Sequence, residues 1–333
     1  MDAIGYRDRD GDGIREDPEG NTIAFALITN QDNEFRVETG KIIAEEARGI
    51  GIQADFQPVD IGELVDMIVE SKDFEAMIIG TVPMEDPLTD FNVNALGTLN
   101  VLEAARAQKN PPAILFTSTN KVYGKLSHLG VKESEKRYEF AELPEGAAES
   151  QPLDFYSPYG CSKGASDQYI RDYHRIYGMD TVVFRMSCIY GPHQFGTEDQ
   201  GWVVHFVISS LLNRPLNIFG NGKQVRDILF VEDLVDAFIN AANNLDKTSG
   251  EVFNIGGGAR NSVSLLELID ILENISGNKI QTEFFDWRPG DQKVYISNIQ
   301  KANKVFGWKP KFSSQQGIQK LYDWVKDNRA LFG

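Results

Sequence analysis

The chain has 333 residues, and 41% of them are hydrophobic, which is enough to form the core of one large domain or of two smaller ones. Its formal net charge of −16 argues against nonspecific binding to nucleic acid, because phosphate backbones are held by basic surfaces. No apolar run approaches the length of a membrane span, no secretion signal opens the chain, and the two cysteines lack CxxC spacing, so we expect a cytoplasmic protein with no disulfide, metal site or membrane contact.

The first part of the chain predicts a βαβαβ unit behind an irregular leader. Residues 2–20 are dense in Asp, Arg and Gly and have no hydrophobic period. Strands are then predicted at 23–29, 52–58 and 76–81, and helices at 34–48 and 61–71. The leader also has the spacing of a calcium-binding EF-hand loop from Asp8 to Glu19. Because no helix can precede that loop and Pro18 interrupts the next one, an acidic hairpin is the preferred interpretation.

The character of the sequence changes near Pro83 and Pro87, and we place a domain boundary there, between residues 1–83 and 84–333. Beyond it, helices are predicted at 92–108 and 158–177 and strands at 113–118 and 181–187. Short strands at 216–219 and 252–255 then mix with helices at 231–243 and 264–276. The alternation predicts an α/β fold: a Rossmann-like parallel sheet with a smaller C-terminal substrate-binding lobe.

The segment SPYGCSK contains the strongest chemical signal in the chain. Ser157 and Pro158 suit the start of a helix, on which Tyr159 and Lys163 lie four residues apart on one face. An ammonium group beside a phenol stabilises the phenolate and lowers the pKa of the tyrosine. Tyr159 is therefore a candidate proton acceptor, although YxxxK spacing also occurs by accident on exposed helices.

An apolar strand upstream ends in three hydroxyls, Thr117, Ser118 and Thr119. Ligands collect at the carboxyl ends of strands in open parallel sheets. A hydroxyl there can bond a sugar oxygen while Tyr159 removes its proton, and Thr119 is our candidate. The alternative is that the hydroxyls only cap a turn.

Seven segments in order resemble the extended short-chain dehydrogenase/reductases, the NAD-dependent epimerase/dehydratase family: FNVNALGTLNVLEA, FTSTNKVYG, SPYGCSKGASDQY, VVFRMSCIYGP, FGNGKQVRDILFVEDL, FNIGGG and RPGDQKVYISNIQKANKVFGWKP. Such an ordered set is more specific than any one motif. The segments cover about the last three-quarters of the chain and are most similar to the epimerases of CDP-sugars. The resemblance implies transient oxidation of a sugar carbon by NAD and return of the hydride to the opposite face.

The resemblance also implies a role for individual residues. Tyr159 is implied as the catalytic base, Lys163 and Thr119 as its partners, and Asn94 as a support of the site. The cofactor residues implied are Thr117, Ser118, Tyr159, Lys163, Arg185 and Ser187. The substrate residues implied are Gln200, Gly201, Trp202, Arg226 and Arg288. The two arginines are expected to face the pyrophosphate, because guanidinium groups pair with phosphate oxygens, and a surface ion pair is the alternative for each.

The family further implies a homo-oligomer. In it, the helices at 92–108 and 158–177 of two subunits form a four-helix interface. We expect Ala104, Ala105, Ala165 and Ile170 to pack there, because they are small or apolar. The expected partners are thus a CDP-sugar substrate and a second copy of the chain.

The front of the chain lacks the glycine-rich turn expected of the family. In that turn, a GxxGxxG sequence opens a helix that holds the pyrophosphate of NAD. Here the first strand runs into NQDNEF, with Asp32 and Glu34 near the expected phosphate position. A GxGxxA match at Gly49, Gly51 and Ala54 follows a helix, so it is interpreted as a helix end. NAD binding is therefore expected to be weakened or lost.

Residues 2–82 instead resemble part of the C-terminal lobe of a family 5 extracellular solute-binding protein, on the segments IGYRDRDGDGIREDPEGNTIAFALITN and DFEAMIIG. The chain thus has the pattern of a chimera, with a first βαβαβ foreign to the epimerases. Two hypotheses follow. Either the foreign unit replaces the first Rossmann half and the chain is an epimerase, or it is an inactive fusion with a binding-protein remnant.

Overall fold

A computed structural model describes residues 5–67, 75–78, 86–288 and 291–332. The chain divides into two compact units, Met1–Val82 and Pro83–Gly333. The ends of two predicted elements, 68–71 of the helix at 61–71 and 79–81 of the strand at 76–81, lie outside the described residues. Within the described ranges, no helix has the length and apolar character needed to cross a membrane.

The first unit has the predicted βαβαβ order. Its elements are β1 (Ala24–Asn30), α1 (Glu34–Gly49), β2 (Gln53–Val59), α2 (Ile61–Asp66) and β3 (Ala76–Ile78). The strands form a parallel sheet in the order β2-β1-β3. Asn33 and Asp60 cap the two helices with side-chain oxygens, as asparagine and aspartate commonly do.

The acidic leader is a hairpin, as predicted. Glu16 forms antiparallel bridges with Arg7 and with Thr22. The carboxylate of Asp8 accepts N–H bonds from Gly11 at 2.7 Å and Gly13 at 3.0 Å, so the loop satisfies its own backbone donors. The glycines of the GxGxxA match lie at the end of a helix, since α1 ends at Gly49 and Gly51 has a φ of 79°.

The second unit continues the alternation of helices and strands. Its helices are α3 (Pro87–Asp90), α4 (Gly97–Arg106), α5 (Pro158–Tyr177), α6 (Trp202–Leu211), α7 (Val231–Ala242), α8 (Leu245–Thr248), α9 (Leu265–Ser276), α10 (Gln300–Phe306) and α11 (Ser314–Asp327). Its strands are β4 (Ile114–Thr119), β5 (Val131–Glu133), β6 (Tyr138–Phe140), β7 (Thr181–Met186), β8 (Cys188–Tyr190), β9 (Leu216–Phe219), β10 (Val225–Phe230), β11 (Val252–Ile255), β12 (Ser262–Ser264), β13 (Thr282–Phe285) and β14 (Val294–Tyr295). The predicted helix at 158–177 and the strands at 216–219 and 252–255 have these bounds.

Two groups of strands organise the second unit. A parallel sheet has the order β11-β7-β4 and places Thr119 at the carboxyl end of β4. A smaller lobe follows, in which β10 pairs with β8, β12 and β14, and β9 pairs with β13. The core of the lobe is formed by buried apolar side chains of α6, β9, β10, α9 and α11, such as Val204, Ile218, Leu268 and Leu321. The Rossmann-like sheet with a smaller lobe is thus confirmed.

The structure differs from the prediction at the helix expected over 92–108. Helical structure begins earlier, at Pro87, and includes a π-helical turn over Phe91–Leu96 before α4. A change in hydrogen-bond register leaves little trace in hydrophobic periodicity, so the turn was not predicted. The sequence also does not predict β10, which is buried on both faces and lacks alternation, or β8, which is too short at three residues to show a period.

A buried polar network ties the parallel sheet to α5. Asp167, which is 0% exposed, pairs with Arg185, which is 2% exposed, through two bonds of 2.8 and 2.9 Å. The Ser118 hydroxyl donates to the same carboxylate at 2.9 Å. Arg185 also donates to the hydroxyl of Tyr123 at 3.1 Å, which donates to Asn254 at 2.7 Å. Every charge is matched, so the network holds three elements in one arrangement.

Replacing Arg185 with methionine is expected to lower the free energy of unfolding by about 3–5 kcal/mol, because Asp167 is left as an uncompensated buried charge. The double variant Arg185→Met/Asp167→Leu is expected to recover part of that loss. Lys136→Met is the control, since Lys136 pairs with Asp270 on the surface, and it should cost less than about 1 kcal/mol. Chemical denaturation measures all three, and equal losses for Arg185→Met and Lys136→Met would contradict this role.

Candidate active site

Thr119 is held at the end of β4 by the turn that follows it. Its Oγ1 accepts the N–H of Lys121 at 3.2 Å and so caps a 3-10 turn over Asn120–Tyr123. Gly124 ends that turn with a φ of 63°, and a Cβ at this position would collide with the main-chain oxygen of Asp154. The segment STNKVYG therefore requires its glycine, and the turn keeps the Thr119 hydroxyl at the ligand-binding end of the strand.

Tyr159 lies beside this hydroxyl in the first turn of α5. Ser157 caps the helix by accepting the N–H of Gly160 at 3.0 Å, and Pro158 occupies the first turn, as predicted. The Thr119 side chain is close enough to act on the pKa of Tyr159, and its hydroxyl donates to Oδ1 of Asn120 at 3.3 Å. The sequence prediction that Thr119 and Tyr159 come together is consistent with this geometry.

The pKa of Tyr159 is raised above its ordinary value. Burial is the main cause, the nearby Thr119 side chain opposes it, and the carboxylate of Asp90 adds to it. The predicted lowering by Lys163 is therefore wrong in direction for this structure. The ammonium of Lys163 lies over the ring of Phe116, 4.4 Å from its centroid, instead of stabilising the phenolate. Burial lowers the pKa of Lys163 to about 8, although Asp167 opposes that shift.

Asn94 acts on the site through the backbone. Its Nδ2 donates to the Ser162 hydroxyl at 3.0 Å, and Ser162 donates to the main-chain oxygen of Tyr159 at 3.0 Å. The Ser166 hydroxyl donates to the main-chain oxygen of Asn94 at 2.8 Å. Asn94 belongs to the π-helical turn, where carbonyl groups leave the regular ladder and accept other donors. In these contacts Asn94 is a positioning residue for Tyr159.

Two predicted cofactor residues need correction. The side chains of Arg185 and Ser118 are each 2% exposed and are bound to Asp167, so both are structural members of the buried network. Thr117 is half-buried on β4. Ser187 follows β7, and its hydroxyl donates to the side chain of Asp227 at 2.5 Å. The sequence shows that Arg185 and Ser118 lie at strand ends but does not show how deeply they are buried.

The predicted substrate residues Gln200, Gly201 and Trp202 lie at the start of α6. Gly201 is the N-cap and has a φ of 75°, a conformation that favours glycine. The backbone N–H of Gln200 donates to Thr197 at 3.3 Å. The indole of Trp202 contacts the sulfur of Cys188 at 3.4 Å, which joins α6 to β8.

The two predicted phosphate-binding arginines differ in their partners. One nitrogen of Arg226 donates to the main-chain oxygens of Val225 and Gln292, and the other lies 3.8 Å from Asp291. Arg288 stacks on a phenylalanine and forms ion pairs with Glu198 at 3.3 Å and Asp199 at 3.1 Å. The contacts of Arg288 thus match the ion-pair alternative that the sequence left open.

Sequence reasoning missed two ionisable groups near Tyr159. Lys121 is half-buried, two residues beyond Thr119, and its pKa is lowered by burial and by Arg226. Asp90 is 1% exposed, and its carboxylate oxygens have no hydrogen-bond partner among the described residues. A cation directly after the hydroxyl cluster of β4 was a visible signal for Lys121. Asp90 had no comparable signal, because aspartate commonly begins a helix.

The first β-α turn of the first unit does not fit a dinucleotide pyrophosphate. No glycine lies between β1 and α1, and the Asn33 side chain takes up the N–H of Arg36 at 3.0 Å. Glu34 adds negative charge to the first turn of α1. Phosphate sites of this kind need free backbone N–H groups and no adjacent carboxylate. In the second unit, by contrast, Tyr159 and Lys163 have the donor chemistry to hold a nicotinamide ribose.

Comparisons with known sequences agree on one family. The GDP-mannose 4,6 dehydratase family model matches residues 65–321. The CDP-paratose 2-epimerase of Salmonella typhi is 47% identical over 250 residues, which cover 74% of this chain and 74% of the relative. A putative UDP-glucose 4-epimerase of Methanocaldococcus jannaschii is 31% identical over 317 residues and covers 93% of this chain and 95% of its own. That span includes most of the first unit, so the similarity is not confined to residues 84–333.

Solved structures share the fold. The UDP-glucose 4-epimerase of Thermotoga maritima, determined with UDP-glucose, has a TM-score of 0.69 at 23% identity, over 91% of this chain and 99% of that one. Pal from Bacillus thuringiensis has a TM-score of 0.67 at 26% identity, with the same coverage of both chains. The similarity therefore extends over nearly the whole length of each structure.

Proposed function

The chain belongs to the family of NAD-dependent nucleotide-sugar epimerases and dehydratases that the GDP-mannose 4,6 dehydratase model describes, and we propose that it inverts C2 of a CDP-linked sugar. The proximity of Tyr159, in the first turn of α5, to Thr119, at the end of β4, carries the proposal, because it places a proton acceptor near a hydroxyl that can orient a sugar. The 47% identity to a CDP-paratose 2-epimerase supports this substrate and this carbon.

In the proposed reaction the protein orients the sugar and moves one proton. Thr119 bonds the reacting hydroxyl, and Tyr159, as phenolate, takes its proton while the carbon is oxidised. NAD, when bound, is the acceptor and donor of the hydride, so no net redox change results. The ketone then presents its other face, and Tyr159 returns the proton to the oxygen. Asn94 and Ser162 keep Tyr159 in reach throughout.

We assign the nucleotide end of the substrate to the smaller lobe. Arg226 and Arg288 are the proposed ligands of the pyrophosphate, and Gln200, Gly201 and Trp202 line the same side at the start of α6. Arg288 must exchange its ion pairs with Glu198 and Asp199 for phosphate oxygens. The exchange replaces one set of charge-assisted bonds with another.

Tyr159→Phe is expected to lower kcat by at least about a hundredfold, because it removes the proton acceptor and leaves the ring in place. Tyr156→Phe is the matched control, since Tyr156 is exposed and should be dispensable. Burial raises the pKa of Tyr159, so turnover of the unmodified protein should rise with pH as the phenolate forms. Proton NMR of a CDP-sugar measures all three, and normal turnover in Tyr159→Phe would disprove the assignment.

The second candidate is a catalytically inactive chain, for which the turn between β1 and α1 is the one argument, since relatives similar over more than 90% of the chain do not support a fusion. The lack of glycine in that turn and the acidic first turn of α1 oppose the binding of a pyrophosphate. We therefore propose that NAD binds to this chain more weakly than to relatives with the glycine-rich turn. The retained arginines of the smaller lobe keep the nucleotide end of the substrate bound.

Separate calorimetric titrations with CDP and with NAD distinguish the two candidates. Each lost charge-assisted bond to NAD costs roughly 1.5–3 kcal/mol, so losing two or three lowers the affinity by several orders of magnitude. The expected result is CDP binding together with NAD binding that is several orders of magnitude weaker than in relatives with the glycine-rich turn, and no NAD binding at all would favour the inactive chain. Stoichiometric NAD in the purified protein would contradict the weakened cofactor site and exclude the inactive chain.

Two of the four residues predicted for the four-helix interface are unsuitable, whereas Ala104 is exposed and Ala165 is partly exposed. Ala105 and Ile170 are buried in the core of the second unit, so they are unavailable to a partner. The large exposed apolar side chains of these helices are Leu96, Val101, Tyr169, Ile176 and Tyr177. We propose that a second copy covers this face.

Light scattering at micromolar concentration should then give the mass of a dimer or a larger assembly. Val101→Glu/Ile176→Glu should shift that mass toward the monomer, because each carboxylate would be buried without a partner. Val235→Glu/Ile239→Glu, which alters another exposed apolar face, is the control. A monomeric unmodified protein would rule out the interface.

A further inference from the structure

Lys121 connects the catalytic hydroxyls to the smaller lobe. Its backbone N–H donates to Thr119, and its main-chain oxygen lies against Gly160, the residue after Tyr159, where a Cβ would approach it to 3.4 Å. Its side chain is half-buried, and Arg226 on β10 and Cys188 on β8 are near enough to act on its charge. Lys121 therefore stands two residues from the proposed reacting hydroxyl and within electrostatic range of Arg226, the proposed phosphate ligand.

Among the described residues, the charged groups that act on Lys121 are one cation and one carboxylate, and the nearby carboxylate of Asp227 is already bound by Ser187 and Gly258. Lys121 and Arg226 are two cations, and Asp291 is the carboxylate that acts on both. Within the described part of the chain, the ammonium of Lys121 forms no hydrogen bond or ion pair. Partly buried charges are costly unless they are paired. The excess positive charge beside Thr119 thus suits an anionic group of a ligand.

We propose that Lys121 and Arg226 together bind the sugar-bearing phosphate of the substrate, and that this contact selects C2 as the reacting carbon. The proposal rests on the function proposed above. The C2 hydroxyl stands on the carbon next to the one that carries the phosphate, whereas the C4 hydroxyl lies across the ring. A phosphate held two residues from Thr119 therefore brings the C2 hydroxyl to Thr119 and Tyr159.

The binding test compares CDP, which has the second phosphate, with CMP, which lacks it. Lys121→Met should weaken CDP binding by about tenfold to a hundredfold, the usual range for a lost charge-assisted bond, and leave CMP binding unchanged. Lys121→Arg should restore most of the CDP affinity, because it keeps the charge. Lys125→Met is the control, since Lys125 is exposed four residues further along and should have no effect. Calorimetry measures each affinity.

The phosphate contact is overturned if Lys121→Met binds CDP normally, if CMP and CDP weaken equally, or if neither CDP nor UDP binds to the unmodified protein. NMR of the product tests the selected carbon, and inversion at C4 would overturn that part. Lys121-dependent CDP binding without any epimerisation would refute the proposed function and leave the phosphate contact standing. Inversion at C2 with unchanged CDP affinity in Lys121→Met would refute the phosphate contact and leave the proposed function standing.

Discussion

The ion pair between Asp167 and Arg185 determines where the candidate active site can form. The carboxylate belongs to α5, the guanidinium to β7, and Ser118, which also bonds the carboxylate, to β4. One pair therefore sets the distance between the strand that ends in Thr119 and the helix that begins at Pro158. Removing both charges would keep the apolar contacts but not this register, because nonpolar packing is non-directional.

Much of the fold was predictable because its long elements have clear periodicity and caps. The bounds of α5 follow from Ser157, Pro158 and the left-handed Gly178, all visible in the sequence. The strands of the smaller lobe were less predictable, since their partners lie far apart in the sequence, as β10 and β14 show. The π-helical turn depends on hydrogen-bond register, which residue types do not encode directly.

The sequence identifies the residues of the candidate site, but it does not give the directions of their pKa shifts. The sequence identifies Thr119 by its position at the end of a strand and Tyr159 by its position at the start of a helix. Both positions can be recognised from local sequence patterns. The direction of the pKa shift of Tyr159 depends on burial and on Asp90, which come from tertiary structure. For the same reason Arg185 was predicted as a cofactor residue, although it lies in the core. The sequence shows which groups can ionise, whereas burial and tertiary contacts determine their pKa values and their partners.

The three proposed phosphate ligands differ in how far carboxylates of the protein already neutralise their positive charge. Arg288, furthest along the sequence from Thr119, has two carboxylate partners, Arg226 has carbonyl oxygens and a carboxylate at 3.8 Å, and Lys121 has no ion pair among the described residues. An incoming anion gains least where it must displace a carboxylate and most where a cation is unpaired. In the proposed complex, binding free energy is thus concentrated beside Thr119. The net charge of the chain is −16, and the local excess of positive charge at Lys121 and Arg226 would allow this acidic protein to bind an anionic substrate.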